Sequence, residues 1–323
     1  ISINGNEYTL GISLSGTPNG SETLTVNIVS SNIYDSVGNV ASTSQSNNSI
    51  SLNDKLSPTM TISSSTVNSG EKSNDSTISL TFTSSESTTN FIKDDITISG
   101  GSLSSLSGSG TTYTATLTPS EDTTYTISVA QSKFTDSAGN DNSASNTFTW
   151  TYDSTAPTMT ISSPTVNSGE TSNDSTISLT FTSSESTTNF IASDITISGG
   201  SLSSFSGSGT TYTATLTPSG NATYTINVAS GKFTDSVGNN NNVSNTFSWT
   251  YDSTAPTISG VTLASDNTTI TVTFDEAVYN TNSGSGSLEV SDFAFALSGG
   301  TASLLSTTPS SISINGNEYT LGI

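Results

Sequence analysis

The sequence predicts an all-β chain, built as tandem seven-strand antiparallel β-sandwiches strung into an elongated rod. Three observations predict it. Apolar residues alternate with Ser and Thr over short runs, and no helical period appears anywhere in the 323 residues. Gly-, Pro- and Asn-rich breaks separate the runs. The whole pattern then recurs at an offset of 99 residues, so one fold is built more than once.

The strands follow in order through the first complete repeat. Met60 and Ile62 come after Pro58. Ile78, Leu80 and Phe82 alternate with Ser79 and Thr81. Ile96 and Ile98 form a short strand before Gly100-Gly101. Tyr113, Ala115 and Leu117, then Tyr125, Ile127 and Val129, then Phe148, Trp150 and Tyr152 continue the pattern. Each run puts apolar side chains on one face and hydroxyls on the other, which suits a half-buried pleat. Breaks fall at Asn68-Ser-Gly70, Gly108-Ser-Gly110, Pro119-Ser and Ser137-Ala-Gly139-Asn140. About seven short strands per ~100 residues is the arithmetic of an immunoglobulin-type sandwich.

The repeats set the domain organisation. Residues 55–153 and 154–252 are near-copies, with Phe82 matching Phe181, Tyr113 matching Tyr212 and Trp150 matching Trp249. A longer period is visible at the ends. Ile1–Ile12 recurs as Ile312–Ile323, an offset of 311 residues. A third, longer unit is therefore split, with its second half in 1–54 and its first half in 253–323. Ile270, Val272 and Phe274 match the second strand, and Phe293, Phe295 and Leu297 the third. Tyr8, Leu10 and Ile12, then Leu24, Val26 and Ile28, match the fifth and sixth. The two halves are expected to be completed by neighbouring repeats of the same chain, or by like chains end to end.

Composition narrows function. There are 26 acidic residues against 5 basic ones, all lysines, for a net charge of −21. Such a field repels nucleic acid and attracts cations. Cys and His are absent, which removes thiolate chemistry, imidazole zinc sites and triads that need a histidine base. No apolar run is long enough to predict a membrane span in this segment. Adjacent acids such as Asp94-Asp95 and Glu121-Asp122 do not predict a glycosidase, because they are sequence neighbours with no pocket-forming insertion around them. The chain is not expected to be an enzyme.

The phrases Lys133-Phe-Thr-Asp136-Ser-Ala-Gly-Asn140 and Trp150-Thr-Tyr-Asp153-Ser-Thr-Ala-Pro157-Thr resemble the tandem bacterial Ig-like repeats of giant secreted and cell-surface adhesins. Val272-Thr-Phe-Asp-Glu276-Ala-Val and Ile33-Tyr-Asp35-Ser-Val-Gly-Asn39 resemble a related repeat of large secreted proteins. The resemblance covers essentially the whole chain. It implies an extracellular or cell-surface location, a spacer role, and calcium bound at the junctions between domains in some arrays.

The acids themselves point the same way. In an immunoglobulin-type sandwich the B–C and F–G loops lie at the end where the chain enters. Asp54, Glu86, Asp95 and Asp136 are expected to converge there in the first repeat, and Asp153, Glu185, Asp194 and Asp235 in the second. Asp252, Glu276 and Asp292 are the equivalents in the split unit, with Asp35 in its other half. Carboxylates crowded without a basic partner repel, and Ca2+, which takes six to eight oxygen ligands, resolves the repulsion. A second reading stays open: Asp-Ser-Ala-Gly-Asn is also a good turn, with Asp capping its own backbone.

Trp150 and Trp249 read as sheet packing, and Lys133 and Lys232 as stems lying on the sheet. Three functions fit the pattern. The first is a non-catalytic spacer in an adhesin or filament whose adhesive ligand is unknown. The others are a carbohydrate- or ligand-binding module and a self-associating matrix or sheath fibre. The near-identity of the units favours the spacer, since the Gly-Ser-rich Tyr279–Leu288 text reads as a flexible loop.

Overall fold

A computed structural model describes residues 1–323. The chain opens with two small hairpins. β1 (Ser2–Asn4) pairs with β2 (Glu7–Thr9), and β3 (Thr23–Thr25) pairs with β4 (Ser49–Ser51). The first complete repeat then contains β5 (Met60–Ser64), β6 (Lys72–Ser73), β7 (Ile78–Thr88), β8 (Ile96–Ile98), β9 (Ser102–Leu103), β10 (Ser107–Thr118), β11 (Thr124–Val129) and β12 (Phe148–Tyr152). They form two sheets, ordered β5-β7-β10-β9 and β6-β12-β11-β8.

The second repeat follows the same plan with β13 (Met159–Ser162), β14 (Thr171–Ser172), β15 (Ile177–Thr187), β16 (Ile195–Ile197), β17 (Ser201–Thr217), β18 (Ala222–Val228) and β19 (Phe247–Tyr251). Its sheets run β13-β15-β17 and β14-β19-β18-β16. One long strand, β17, covers the stretch that β9 and β10 share in the first repeat.

The alternation decides what is buried. Ile78, Leu80 and Phe82 of β7 are fully buried while Ser79 is exposed. Leu117, Tyr125, Ile127 and Trp150 close the other side of one continuous core. The second repeat has an equivalent core around Phe181, Leu216, Ile226 and Trp249. Burying a side chain of this size contributes roughly 1.5–3 kcal/mol, so each sandwich is held by its own apolar strands. The aromatic polar atoms are satisfied as well. Trp150 Nε1 donates to Ser73 Oγ at 2.9 Å, and Trp249 Nε1 to Ser172 Oγ at 3.0 Å. Tyr125 donates its hydroxyl to the Glu121 carbonyl at 2.8 Å, and Tyr224 to that of Gly220 at 2.7 Å, the tyrosine corner of immunoglobulin-like sandwiches.

Two features lie outside the sequence pattern. The two-residue strands β6 and β14 pair in parallel with β12 and β19, in sandwiches that are otherwise antiparallel. Such short strands cannot display an alternation. β10 shifts register against β7 between Gly110 and Thr112, and nearby Gly108 has a φ of 109°, where a Cβ would meet the Thr112 carbonyl oxygen.

The terminal segments form less sheet than the alternation predicts. β20 (Ile258–Leu263), β21 (Thr269–Phe274), β22 (Ile312–Asn315) and β23 (Glu318–Gly322) make one sheet, ordered β20-β21-β23-β22. Phe293, Phe295 and Leu297 are not in a strand. In the complete repeats the equivalent strands β8 and β16 pair with β11 and β18. The matching residues of the split unit, Leu24–Ile28, lie at the other end of the chain. Only Leu24 and Thr25 among them lie in a strand, β3. Without a neighbour to satisfy its backbone a strand does not form. Large exposed apolar residues accordingly gather in these segments, among them Ile3, Tyr8, Val29, Ile50, Leu263 and Leu297. No helix of the chain is long and apolar enough to cross a membrane.

Candidate cation centres at the domain joints

Each complete repeat brings three carboxylates together where the chain enters it. Asp54, Glu86 and Asp136 offer oxygens that all lie within 4.8 Å of one another, and so do Asp153, Glu185 and Asp235. The elements explain the meeting. The linker residue is Asp54 or Asp153. The glutamate stands near the end of the long strand β7 or β15, and the third acid opens the turn after β11 or β18. That turn is closed by a short bridge, Thr135 to Asp141 or Thr234 to Asn240.

Each aspartate also serves its own backbone. Asp54 Oδ1 accepts from Leu56 N at 2.9 Å and Asp153 Oδ1 from Thr155 N at 3.0 Å. Asp136 Oδ1 accepts from Ala138 N and Asn140 N, while its Oδ2 takes the Asn140 side chain at 2.8 Å. Gly139 supplies the positive φ that this turn needs. Turn and cluster are therefore compatible roles of the same residue.

The glutamates carry the cost. Burial, and then the fields of Asp54 and Asp136, push the Glu86 carboxyl above its ordinary range. Burial, Asp153 and Asp235 do the same to Glu185. Glu86 Oε1 is buried with no hydrogen-bond partner. At Asp136 burial pulls upward, but the Asn140 side chain and the N–H groups of Asn140, Ala138 and Gly139 hold the acid below its ordinary value.

Three of the expected ligands are not in these two groups. Asp95, Asp194 and Asp292 each cap a single 3-10 turn. Their Oδ2 atoms accept from Ile92 N, Ile191 N and Glu289 N at 2.9, 2.9 and 2.8 Å. Asp252, Glu276 and Asp35 do not join a cluster either. Asp252 accepts from Thr254 N and the Asn221 side chain, and Asp35 from Val37 N and Asn39.

The expectation that the acids lack a basic partner is also corrected at one joint. Asp153 Oδ2, buried and without a hydrogen bond of good geometry, meets Lys72 Nζ as an ion pair at 2.5 Å. Other joint residues gave no signal in the sequence. Asp122, set aside as half of an acidic pair, holds the linker: it accepts from Ser154 N at 2.9 Å, Ser154 Oγ at 2.7 Å and Thr155 Oγ1 at 2.6 Å. Asn221 takes the same place in the second repeat, accepting from Ser253 N at 3.0 Å. Asn239 crosses the joint from the far side, donating to the Asp153 carbonyl at 3.0 Å and accepting from the Asn74 side chain at 3.1 Å.

The sequence profile of a family described as bacterial Ig-like domain matches residues 54–152 and again 153–251. No curated protein matches the chain. Among solved structures, the chain is similar to invasin, a bacterial integrin-binding protein, at 14% identity and a TM-score of 0.38, over 84% of this chain and 56% of that one. It thus spans little more than half of the invasin structure. It is also similar to the Escherichia coli adhesin FdeC, at 16% identity and a TM-score of 0.31, over 83% and 88% of the two chains. A third is Yersinia pseudotuberculosis InvD, at 16% identity and a TM-score of 0.30, over 68% and 69%.

Proposed function

The chain belongs to the bacterial Ig-like domain family, and from that membership we propose that it is a non-catalytic structural spacer, stiffened by Ca2+ at its domain joints. In this reading it is a stretch of a long extracellular adhesin or filament, secreted or attached to the cell surface.

The observation that carries the proposal is the joint at Asp153. Two sandwiches with separate cores are tied to one short linker from both sides, by Asp122 upstream and Asn239 downstream. A linker held in this way fixes the angle between neighbours. That is what a spacer requires and what a freely jointed string of binding modules does not.

The triads fit a hard cation. Their donors are all carboxylate oxygens, and the buried, unpartnered Glu86 Oε1 lacks the positive charge that would justify its burial. Asp54, Glu86 and Asp136 would hold the ion, which would cancel their mutual repulsion and tie the linker to the domain that follows. Three carboxylates suit the ~10⁻⁴–10⁻³ M affinities of extracellular calcium modules.

The test is small-angle scattering of the chain with calcium and with chelator. An extended particle that becomes more flexible on chelation is the expected result. Equal dimensions and flexibility in both conditions would remove calcium from the proposal. A compact particle in both would remove the spacer itself.

A further inference from the structure

The triad at the Asp153 joint has a basic neighbour. Lys72 stands on β6, at the downstream end of the first sandwich, and reaches the linker acid Asp153. It is the chain's one ion pair. The bond to Asp153 raises the ammonium's proton affinity most, and the fields of Asp153, Glu185 and Asp235 add to it.

The equivalent position in the second repeat is Thr171. Backbone pairing delivers both residues to the same place, with Lys72 opposite Thr151 and Thr171 opposite Thr250. Only the side chain differs. The Asp153 joint therefore has an ammonium at a position where the second repeat carries Thr171.

We infer that Lys72 is the resident counter-cation of the Asp153 joint, holding that joint without metal. The inference rests on the reading of the triads as cation sites. Exposed ion pairs contribute little, but here the anion is buried, its side chain 8% exposed against 47% for the lysine. The bond also spans the joint. The ammonium comes from the upstream sandwich, while Glu185 and Asp235, whose field it lies in, belong to the downstream one. A metal ion entering this triad would have to displace the ammonium and would meet one negative charge fewer. A repeat that carries Thr at this place, as the second does with Thr171, lacks that lock.

The absence of cysteine makes the test direct. Thr97 and Thr196 are exposed and equivalent positions on the two sandwiches. Cysteines introduced at both carry spin labels, whose distance distribution reports the Asp153 joint. The wild-type background should give a narrow distribution, unchanged between millimolar calcium and chelator. Lys72→Thr should lose the narrow distribution in chelator and regain it with calcium, and calorimetric calcium titration should gain one site over wild type. Lys72→Arg, which keeps the charge, should stay narrow throughout.

A wild-type distribution that broadens on chelation would overturn the inference. So would a Lys72→Thr chain as narrow as wild type in chelator. If Lys72→Thr broadens but neither chain binds calcium, the lysine remains the joint's counter-cation and the metal reading of the triads alone fails.

Discussion

Asn239 and Asp153 meet across the boundary between two sandwiches, the Asn239 side-chain amide donating to the Asp153 main-chain carbonyl at 3.0 Å. The same amide donates to Asp235 Oδ2 at 2.8 Å, so one side chain closes a turn and spans a joint. Asn140, its equivalent, makes only the turn bond. Replacing either by Ala should cost about 1 kcal/mol of its own sandwich, the net worth of a typical hydrogen bond. Only Asn239→Ala should also broaden the distance distribution across the Asp153 joint. If both substitutions leave that distribution alone, the cross-joint bond has no mechanical role.

Asp122 should behave as a linker clamp. Its acid is held below the ordinary range by the Thr155 and Ser154 hydroxyls and the Ser154 N–H. Asp122→Ala should free Ser154 and raise amide exchange there by roughly ten-fold, the equivalent of about 1.4 kcal/mol. Asp122→Asn should be mild, because Asn221 already serves that place in the second repeat. Exchange at Ser154 that is equal in both variants would show that the bond is incidental.

The repeats should unfold as separate units. Trp150 is fully buried in the first core and donates to Ser73. Trp150→Ala should cost about 3–5 kcal/mol, and calorimetry should show one transition moved down with the second in place. A joint shift of both transitions would mean that the sandwiches share stability through the linker.

Much of this fold was legible because a pleated strand advertises its buried face at every second residue, as Ile78, Leu80 and Phe82 do. The strands without a sequence signal, β6, β9 and β14, are two residues long and hold their place by pairing with β12, β10 and β19. The site was only partly legible for a related reason. Asp95 and Asp136 look alike in sequence, yet the chain turns back on Asp95 at once and uses it as a cap. Lys72 could not be read at all, since its partner is 81 residues away and its counterpart in the next repeat is Thr171. Recurrence finds what two repeats share. It is blind to what makes two joints differ.

The split unit makes its own prediction. The sheet ordered β20-β21-β23-β22 leaves Leu263, Leu297 and Ile323 exposed. Residues 13–54 follow a segment identical to Ile312–Ile323. Extending the chain past Ile323 with a copy of residues 13–54 should cover those side chains and give Phe293, Phe295 and Leu297 a strand to pair with. A third cooperative transition in calorimetry is the expected sign. An extended chain that keeps only two transitions would show that the halves are not complementary.

The metal-free triads set a pH dependence whose sign can be worked out. Burial, Asp54 and Asp136 raise Glu86 above its unfolded value. A raised carboxyl favours the folded state while it is protonated. That contribution is complete below the unfolded value of about 4.3 and is lost as pH climbs through the folded one. In chelator the first sandwich should therefore lose stability from this source as pH rises from acid toward neutral. Asp136 acts oppositely: hydrogen bonds hold it low, so its contribution is present above the ordinary aspartate value and disappears only in stronger acid. Glu86→Gln removes the first effect and keeps the second. Its melting temperature in chelator at neutral pH should exceed that of wild type, and the decline with rising pH should flatten. Calcium should reverse the order, because wild type gains a ligand there that Gln lacks. Parallel pH profiles for the two chains in chelator would show that Glu86 is solvated well enough to ionise freely, and the repulsion that calls for a cation would be gone.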